Sequence, residues 1–262
     1  MGSVETASGR IAVAESGGGE AVPIVFLHGV GSDKSVWWPQ LEHFGQARRA
    51  LAFDYPGYGD SGPAAPATTR DDYARAMFAA MDALGIQDAH ICGLSLGGVV
   101  AIAMHHAAPA RCRSLILADS FAVHPDGRGI YERSLAASRD GGMAVLAEQR
   151  TPFLLAADTS QAVRDEVCAT MARIDPAAFA IGIEAVWLAD QRDRVAAIAV
   201  PTLVVVGAED KATPPALSEQ MAAAIPGARL EVIANAGHIT NLEQPAEFNR
   251  LVDAFLAELE GK

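Results

Sequence analysis

The densest chemical signal is Gly93-Leu94-Ser95-Leu96-Gly97, which follows the apolar run Ala89 to Cys92 and leads into Gly98, Val99 and further helix-forming residues. A serine with glycine two places to either side, on a strand-to-helix turn, has the pattern of a nucleophile elbow. The turn lifts the hydroxyl clear of the sheet, and the small residues let strand and helix close around it. A hydroxyl is a weak nucleophile at neutral pH, so Ser95 requires a base, and that base requires an acid to fix its tautomer. Of the seven histidines, only His238, in Asn235-Ala236-Gly237-His238, falls on a loop between the last expected strand and the last expected helix. His105 and His106 share the helix after the elbow without metal-ligand spacing, and His43, His90 and His124 read as solvated or packed.

Two aspartates compete for the acid. Asp210 follows the apolar run Thr202 to Val206 and gives the chain order Ser, Asp, His; Asp119 ends the run Ser114 to Asp119 and could also reach the histidine. The order favours Asp210. Chemistry at a carbonyl also needs donors for the developing oxyanion. His28-Gly29-Val30-Gly31 follows another apolar run, so the backbone N–H groups of Val30 and Leu96 are the expected donors, with Leu96 at a helix N-terminus. His28 reads as a brace for that loop, and Asp54 to Ser61 as rigid scaffold. There is no HxxxH, no CxxC pair and no carboxylate cluster, so neither metal nor cofactor is expected.

These residues need strands and helices to carry them. Arg10–Glu15, Val22–His28, Arg48–Asp54, Ala89–Cys92, Ser114–Asp119, Thr202–Val206 and Arg229–Ile233 read as strands, most of them apolar throughout. Continuous apolar strands belong to a parallel sheet covered on both faces. Val4 to Ala7, ahead of Ser8-Gly9, predicts an opening hairpin. Helices are expected at Arg70–Leu84, Gly97–Ala107, Pro215–Ala224 and Pro245–Glu260. Between Phe121 and Ile198 the strand rhythm stops, and the stretches Ile130–Ser138, Gln161–Arg173 and Ala177–Ala189 are helical in pattern. That segment is expected to form a lid. The division is then a core of residues 1–120 and 199–262 and a helical cap of 121–198.

A chain of 262 residues, half of them hydrophobic, suits one large α/β domain. The formal charge of −12 argues against nucleic-acid or anionic-membrane partners, which need a basic patch. Three cysteines without paired spacing read as reduced thiols, and no leader-like or spanning run is evident, so a cytoplasmic location is the default expectation. A homo-oligomer stays open.

Taken together, HGVGSD at 28–33, DYPGYGDSG at 54–62, CGLSLGG at 92–98, GAEDKATPP at 207–215 and NAGHITNLEQP at 235–245 resemble the α/β-hydrolase superfamily. The wording is most similar to its 3-oxoadipate enol-lactonase branch, including a glycine-methionine turn at Gly141 to Met143. The resemblance implies the α/β-hydrolase fold, with a mostly parallel eight-stranded sheet, helices on both faces and a helical cap. It also implies a serine hydrolase acting on a small-molecule ester or lactone with water. A lactone bearing a carboxylate would want a cation, and Arg128, Arg133 and Arg150 are candidates. Trp37, Phe121, Phe153 and Trp187 are candidate pocket aromatics. A carbon–carbon hydrolase or perhydrolase with the same triad, and a ligand receptor on the same fold, are the alternatives.

Overall fold

The computed structural model describes residues 2–261. Eight strands form one sheet in the order β1-β2-β4-β3-β5-β6-β7-β8. They are β1 (Gly2–Thr6), β2 (Gly9–Ser16), β3 (Ile24–Leu27), β4 (Ala50–Phe53), β5 (Ala89–Leu94), β6 (Cys112–Ala118), β7 (Thr202–Gly207) and β8 (Arg229–Ile233). β1 and β2 form the antiparallel hairpin, β2 pairs antiparallel with β4, and every pairing from β4 to β8 is parallel. The strands expected at Val22 and Arg48 are shorter than their apolar runs. Pro23 has no N–H for the ladder, so β3 starts at Ile24. β8 is an edge strand with Arg229 and Glu231 in it, charges that discourage pairing with another sheet.

The helices before the cap are α1 (Trp38–Phe44), α2 (Arg70–Ala83) and α3 (Leu96–Ala107). Thr69 and Asp72 start α2 with a reciprocal capping box. Between β6 and β7 lie α4 (Gly127–Asp140), α5 (Gly142–Leu154), α6 (Gln161–Ala172), α7 (Pro176–Trp187) and α8 (Arg192–Ala196). After β7 come α9 (Pro215–Ala224), α10 (Thr240–Glu243) and α11 (Pro245–Glu260). α1 packs on α11, while α2 and α8 pack on α3, giving the sheet its two helical layers. An isolated bridge between Val123 and Asp190 closes the neck of the inserted helices. The Gln191 amide, donating to the Val99 carbonyl at 3.0 Å, ties that neck to α3. Among the described residues no helix is long and apolar enough to cross a membrane.

The expected glycine-methionine turn is the joint at which α4 ends and α5 begins, with Gly141 in the turn and Gly142 at a φ of 73°.

The carboxyl ends of β3, β5, β6, β7 and β8 share one edge of the sheet, because parallel strands in register deliver their following loops together. Leu27 pairs with Gly93, Leu94 with Ala118, and Gly207 with Ile233. Ligands of open parallel sheets bind at that edge. The approach of α3 to the sheet is close: a Cβ at Gly97 would run into the Leu27 carbonyl, which is strand backbone and cannot yield. Gly97→Ala is therefore expected to destabilise the fold by at least about 1–3 kcal/mol, visible as a melting temperature lower by several degrees. An unchanged melting temperature would contradict the packing described.

Candidate active site

Ser95 occupies φ 55° and ψ −112°, backbone space that a non-glycine residue enters only under constraint. Hydrogen bonds from both sides hold it there. Its N–H donates to the Ala118 carbonyl at 2.9 Å, and its own carbonyl accepts from Gly98 N–H at 3.0 Å and from the Ser120 hydroxyl at 2.9 Å. The glycines make the turn possible. A Cβ at Gly93 would strike Gly97 backbone, and one at Gly98 would lie 2.5 Å from Ser120 Oγ.

His238 comes to this serine from the loop after β8. Its Nε2 lies 3.0 Å from Ser95 Oγ, and its Nδ1 lies 2.8 Å from Asp210 Oδ2. A carboxylate on Nδ1 puts the ring proton there and leaves Nε2 to accept the serine proton. The cap participates directly, since His238 N–H donates to the Leu154 carbonyl at the end of α5, at 2.7 Å. Asp210 is buried and caged. Its Oδ1 accepts from Ala212 and Thr213 N–H at 2.8 and 2.9 Å, and its Oδ2 from the Thr213 hydroxyl at 2.6 Å. Burial alone would pull the His238 imidazole down. The charge and hydrogen bond of Asp210 outweigh it, Asp119 adds to them, Arg150 opposes, and the net pKa lies above the usual histidine value.

Asp119, the other acid weighed, makes no hydrogen bond to His238; its oxygens accept from Gly207 and Thr240. Glu209, beside Asp210, turns to the cap and accepts from Ala157 N–H at 3.3 Å. Val30 and Ser95 line the same cavity, with Gly29 packed against the serine side chain. Among the described residues neither Val30 nor Leu96 N–H has an acceptor in the chain. Their loop is anchored from behind by Lys34, whose ammonium sits between Asp54 and Asp60 at 2.7 and 2.6 Å while its N–H donates to Asp54 at 2.7 Å. His28 is fully buried against Tyr55 and Tyr58, and burial lowers its pKa, in keeping with a brace.

The cavity touching Ser95 and His238 is small, about 30 Å³, and walled by Leu154, Met171 and Phe179. A vestibule of about 530 Å³ opens beyond it, and Arg150 and Trp187 line both. Of the candidate aromatics, Trp187 therefore forms the boundary between the two spaces, and Phe153 stands half-exposed at the vestibule. Phe121 is a correction. It is fully buried behind Trp187, stacked on it at 5.6 Å, and supports the wall without facing the cavity. Trp37 is a second correction, because its turn sends the indole into the core between Phe26 and Phe248, at 4.8 and 6.0 Å.

Among the three arginines, Arg128 pairs loosely with Glu132 at 3.9 Å, and Arg133 pairs with Asp126 at 2.6 Å. Arg150 has no carboxylate partner among the described residues; its Nη1 donates to the Ser134 hydroxyl at 3.0 Å, and burial lowers its pKa. The vestibule also carries Lys211 and Arg133 and has no acidic residue in its lining. Thr213 and Ser120 were not singled out in the sequence, where a hydroxyl beside a motif carries no signal of its own. No group of His, Cys, Asp and Glu suited to a metal ion occurs among the described residues.

Comparison with known proteins agrees with this fold. The 3-oxoadipate enol-lactonase 1 of Acinetobacter baylyi is 29% identical over 260 residues, covering 95% of this chain and 94% of that one. The crystal structure of the enol-lactonase from Burkholderia xenovorans LB400 superposes with a TM-score of 0.92 at 28% identity, covering 97% of this chain and 99% of the other. A thermophilic esterase from Thermogutta terrifontis gives 0.90 at 27% identity, covering 98% of each. The model of the alpha/beta hydrolase family matches residues 24–251. With its sheet order, its serine turn and that match across most of its length, the chain belongs to the alpha/beta hydrolase family.

Proposed function

We propose that the protein hydrolyses a carboxylic ester or lactone of a small molecule through an acyl-enzyme on Ser95. The observation that carries this reading is the unbroken relay from Ser95 Oγ to His238 to Asp210 at hydrogen-bonding distances. Ser95 Oγ attacks the carbonyl carbon as its proton passes to His238 Nε2. The tetrahedral oxyanion is met by Val30 and Leu96 N–H, which have no acceptor among the described residues. As the intermediate collapses, the imidazolium gives its proton to the leaving alkoxide. Water then attacks the acyl carbonyl with His238 again as base, and the acid is released from Ser95. In a lactone the two products are one molecule, a hydroxy acid or its keto tautomer when the ester oxygen is enolic.

The reading extends to substrate type. The inner cavity accommodates little beyond the reacting group, and the vestibule that shares Arg150 and Trp187 with it offers room for the rest of the substrate. An arginine withdrawn from water without a carboxylate partner is costly unless something anionic meets it. We therefore favour an ester or lactone that also bears a carboxylate, a class to which an enol-lactone acid such as 3-oxoadipate enol-lactone belongs. The names of the enol-lactonase relatives support this.

Four measurements check the reading. A panel of esters and lactones should include substrates turned over by the parent and lost in Ser95→Ala to below about one per cent, since removing a nucleophile costs several orders of magnitude. Activity that survives Ser95→Ala would remove the acyl-enzyme. Asp210→Asn should lower kcat by about three to four orders of magnitude through the wrong imidazole tautomer. Catalysis needs neutral His238, whose pKa is raised above 6.5, so kcat/KM should fall with decreasing pH along a limb centred above that value. A limb centred below it would contradict the pairing with Asp210. Finally, the half-ester para-nitrophenyl glutarate should be preferred to its neutral methyl ester. Arg150→Met should reduce that ratio of efficiencies by about ten- to a hundred-fold, the scale of a charge-assisted hydrogen bond. A ratio unmoved by the substitution would remove the anionic group from the proposal.

A further inference from the structure

We propose that Asp119 is a positioning residue for the triad: its buried carboxylate clamps the loop carrying Asp210 to the loop carrying His238. The inference rests on the hydrolase reading above, for it concerns how that relay is held.

Asp119 follows β6 directly, is fully buried and lines neither cavity, so it touches no substrate. Its φ of 48° is left-handed, unusual for a residue with a Cβ, and its N–H is tied to the Val205 carbonyl of β7 at 2.8 Å. That strained backbone aims the carboxylate across the sheet edge. Oδ1 accepts from the N–H of Gly207, the last residue of β7 and three before Asp210, at 2.9 Å. Oδ2 accepts from the hydroxyl of Thr240, two residues after His238, at 2.5 Å, and from Thr240 N–H at 3.4 Å. One side chain thus joins the acid strand to the histidine loop.

The arrangement carries a cost that packing alone would not require. Burial and the charge of nearby Asp210 push the Asp119 pKa well up, and an apolar side chain of similar size would escape both penalties. What an apolar side chain lacks is acceptors directed at two different loops. The loops need them close: a Cβ at Gly207 would already collide with the Gly237 carbonyl. A relay of Ser95, His238 and Asp210 with contacts of 2.8 and 3.0 Å has little tolerance, and misplacement by about 1 Å costs on the order of a hundred-fold in rate.

The clamp can be opened from either end. Asp119→Leu removes the acceptors for both Gly207 and Thr240 at similar size, and Thr240→Val removes the hydroxyl from the opposite side. In folded protein each should lower kcat for a neutral para-nitrophenyl ester by about ten-fold or more. KM should move by less than about two-fold, because no substrate contact is lost. Thr240→Ser should recover most of the rate lost in Thr240→Val. The proton NMR signal of His238 Nδ1–H should shift upfield or broaden in both opened variants. A role confined to packing would lower the melting temperature while leaving the kcat and the Nδ1–H signal of the folded protein in place, and that result would overturn the proposal. Should Asp119→Leu not fold, Thr240→Val decides alone. If the parent turns over no ester, the hydrolase reading falls, and the Nδ1–H signal still decides whether Asp119 holds the two loops together.

Discussion

The arrangement depends on a single strained residue. Ser95 must leave β5 in a left-handed conformation so that its hydroxyl clears the strand ends, a strain costing about 1–3 kcal/mol that persists only where the surroundings enforce it. Enforcement comes from two directions. β6 grips the serine N–H and Ser120 its carbonyl, while Gly93, Gly97 and Gly98 let α3 descend onto β3 and β5 with no side chain between. Leu96 then opens α3 with an N–H that has no acceptor among the described residues, so the same turn that exposes the Ser95 hydroxyl also sets a donor and the positive end of a helix beside it.

Around that turn, burial sets the electrostatics. Asp210 is withdrawn from water but receives four donors, so its charge is supported where it faces His238. That pairing overrides the effect of burial on the imidazole and fixes its tautomer. Lys34 is handled in the same manner by Asp54 and Asp60, which keeps the Val30 loop in place without any role at the cavity. Arg150 differs from both, since the one neutral hydroxyl of Ser134 does not balance its charge. In a protein with a formal charge of −12, the vestibule lining carries Arg133, Arg150 and Lys211 and no carboxylate.

The parallel core was legible because its strands are short apolar runs closed by glycine or aspartate, as in Thr202 to Val206, and because each motif falls at a carboxyl end. Ser95, His238 and Asp210 could be ordered along the chain by what acyl chemistry requires, and the structure brings all three together. The sequence did not show where the Trp37 indole would point. Trp37 follows the loop of Val30 closely, yet a short helical turn rotates its indole into the core. α5 was hidden by Gly141-Gly142 at its start and Pro152 in its last turn, residues that ordinarily break helices, so nothing in the sequence set Arg150 apart from Arg128 and Arg133. Which arginine faces the cavity depends on how α4 and α5 pack on each other, a long-range property that no local pattern encodes.

The central claim is that Ser95 is a nucleophile activated by His238, and trapping it covalently tests that most directly. Treatment with a fluorophosphonate at neutral pH, followed by intact-mass and peptide mass spectrometry, should give a single adduct on the peptide containing Ser95. No adduct should form when His238 is replaced by alanine. A folded protein that stays unmodified, or that carries the label on another residue, would contradict the account.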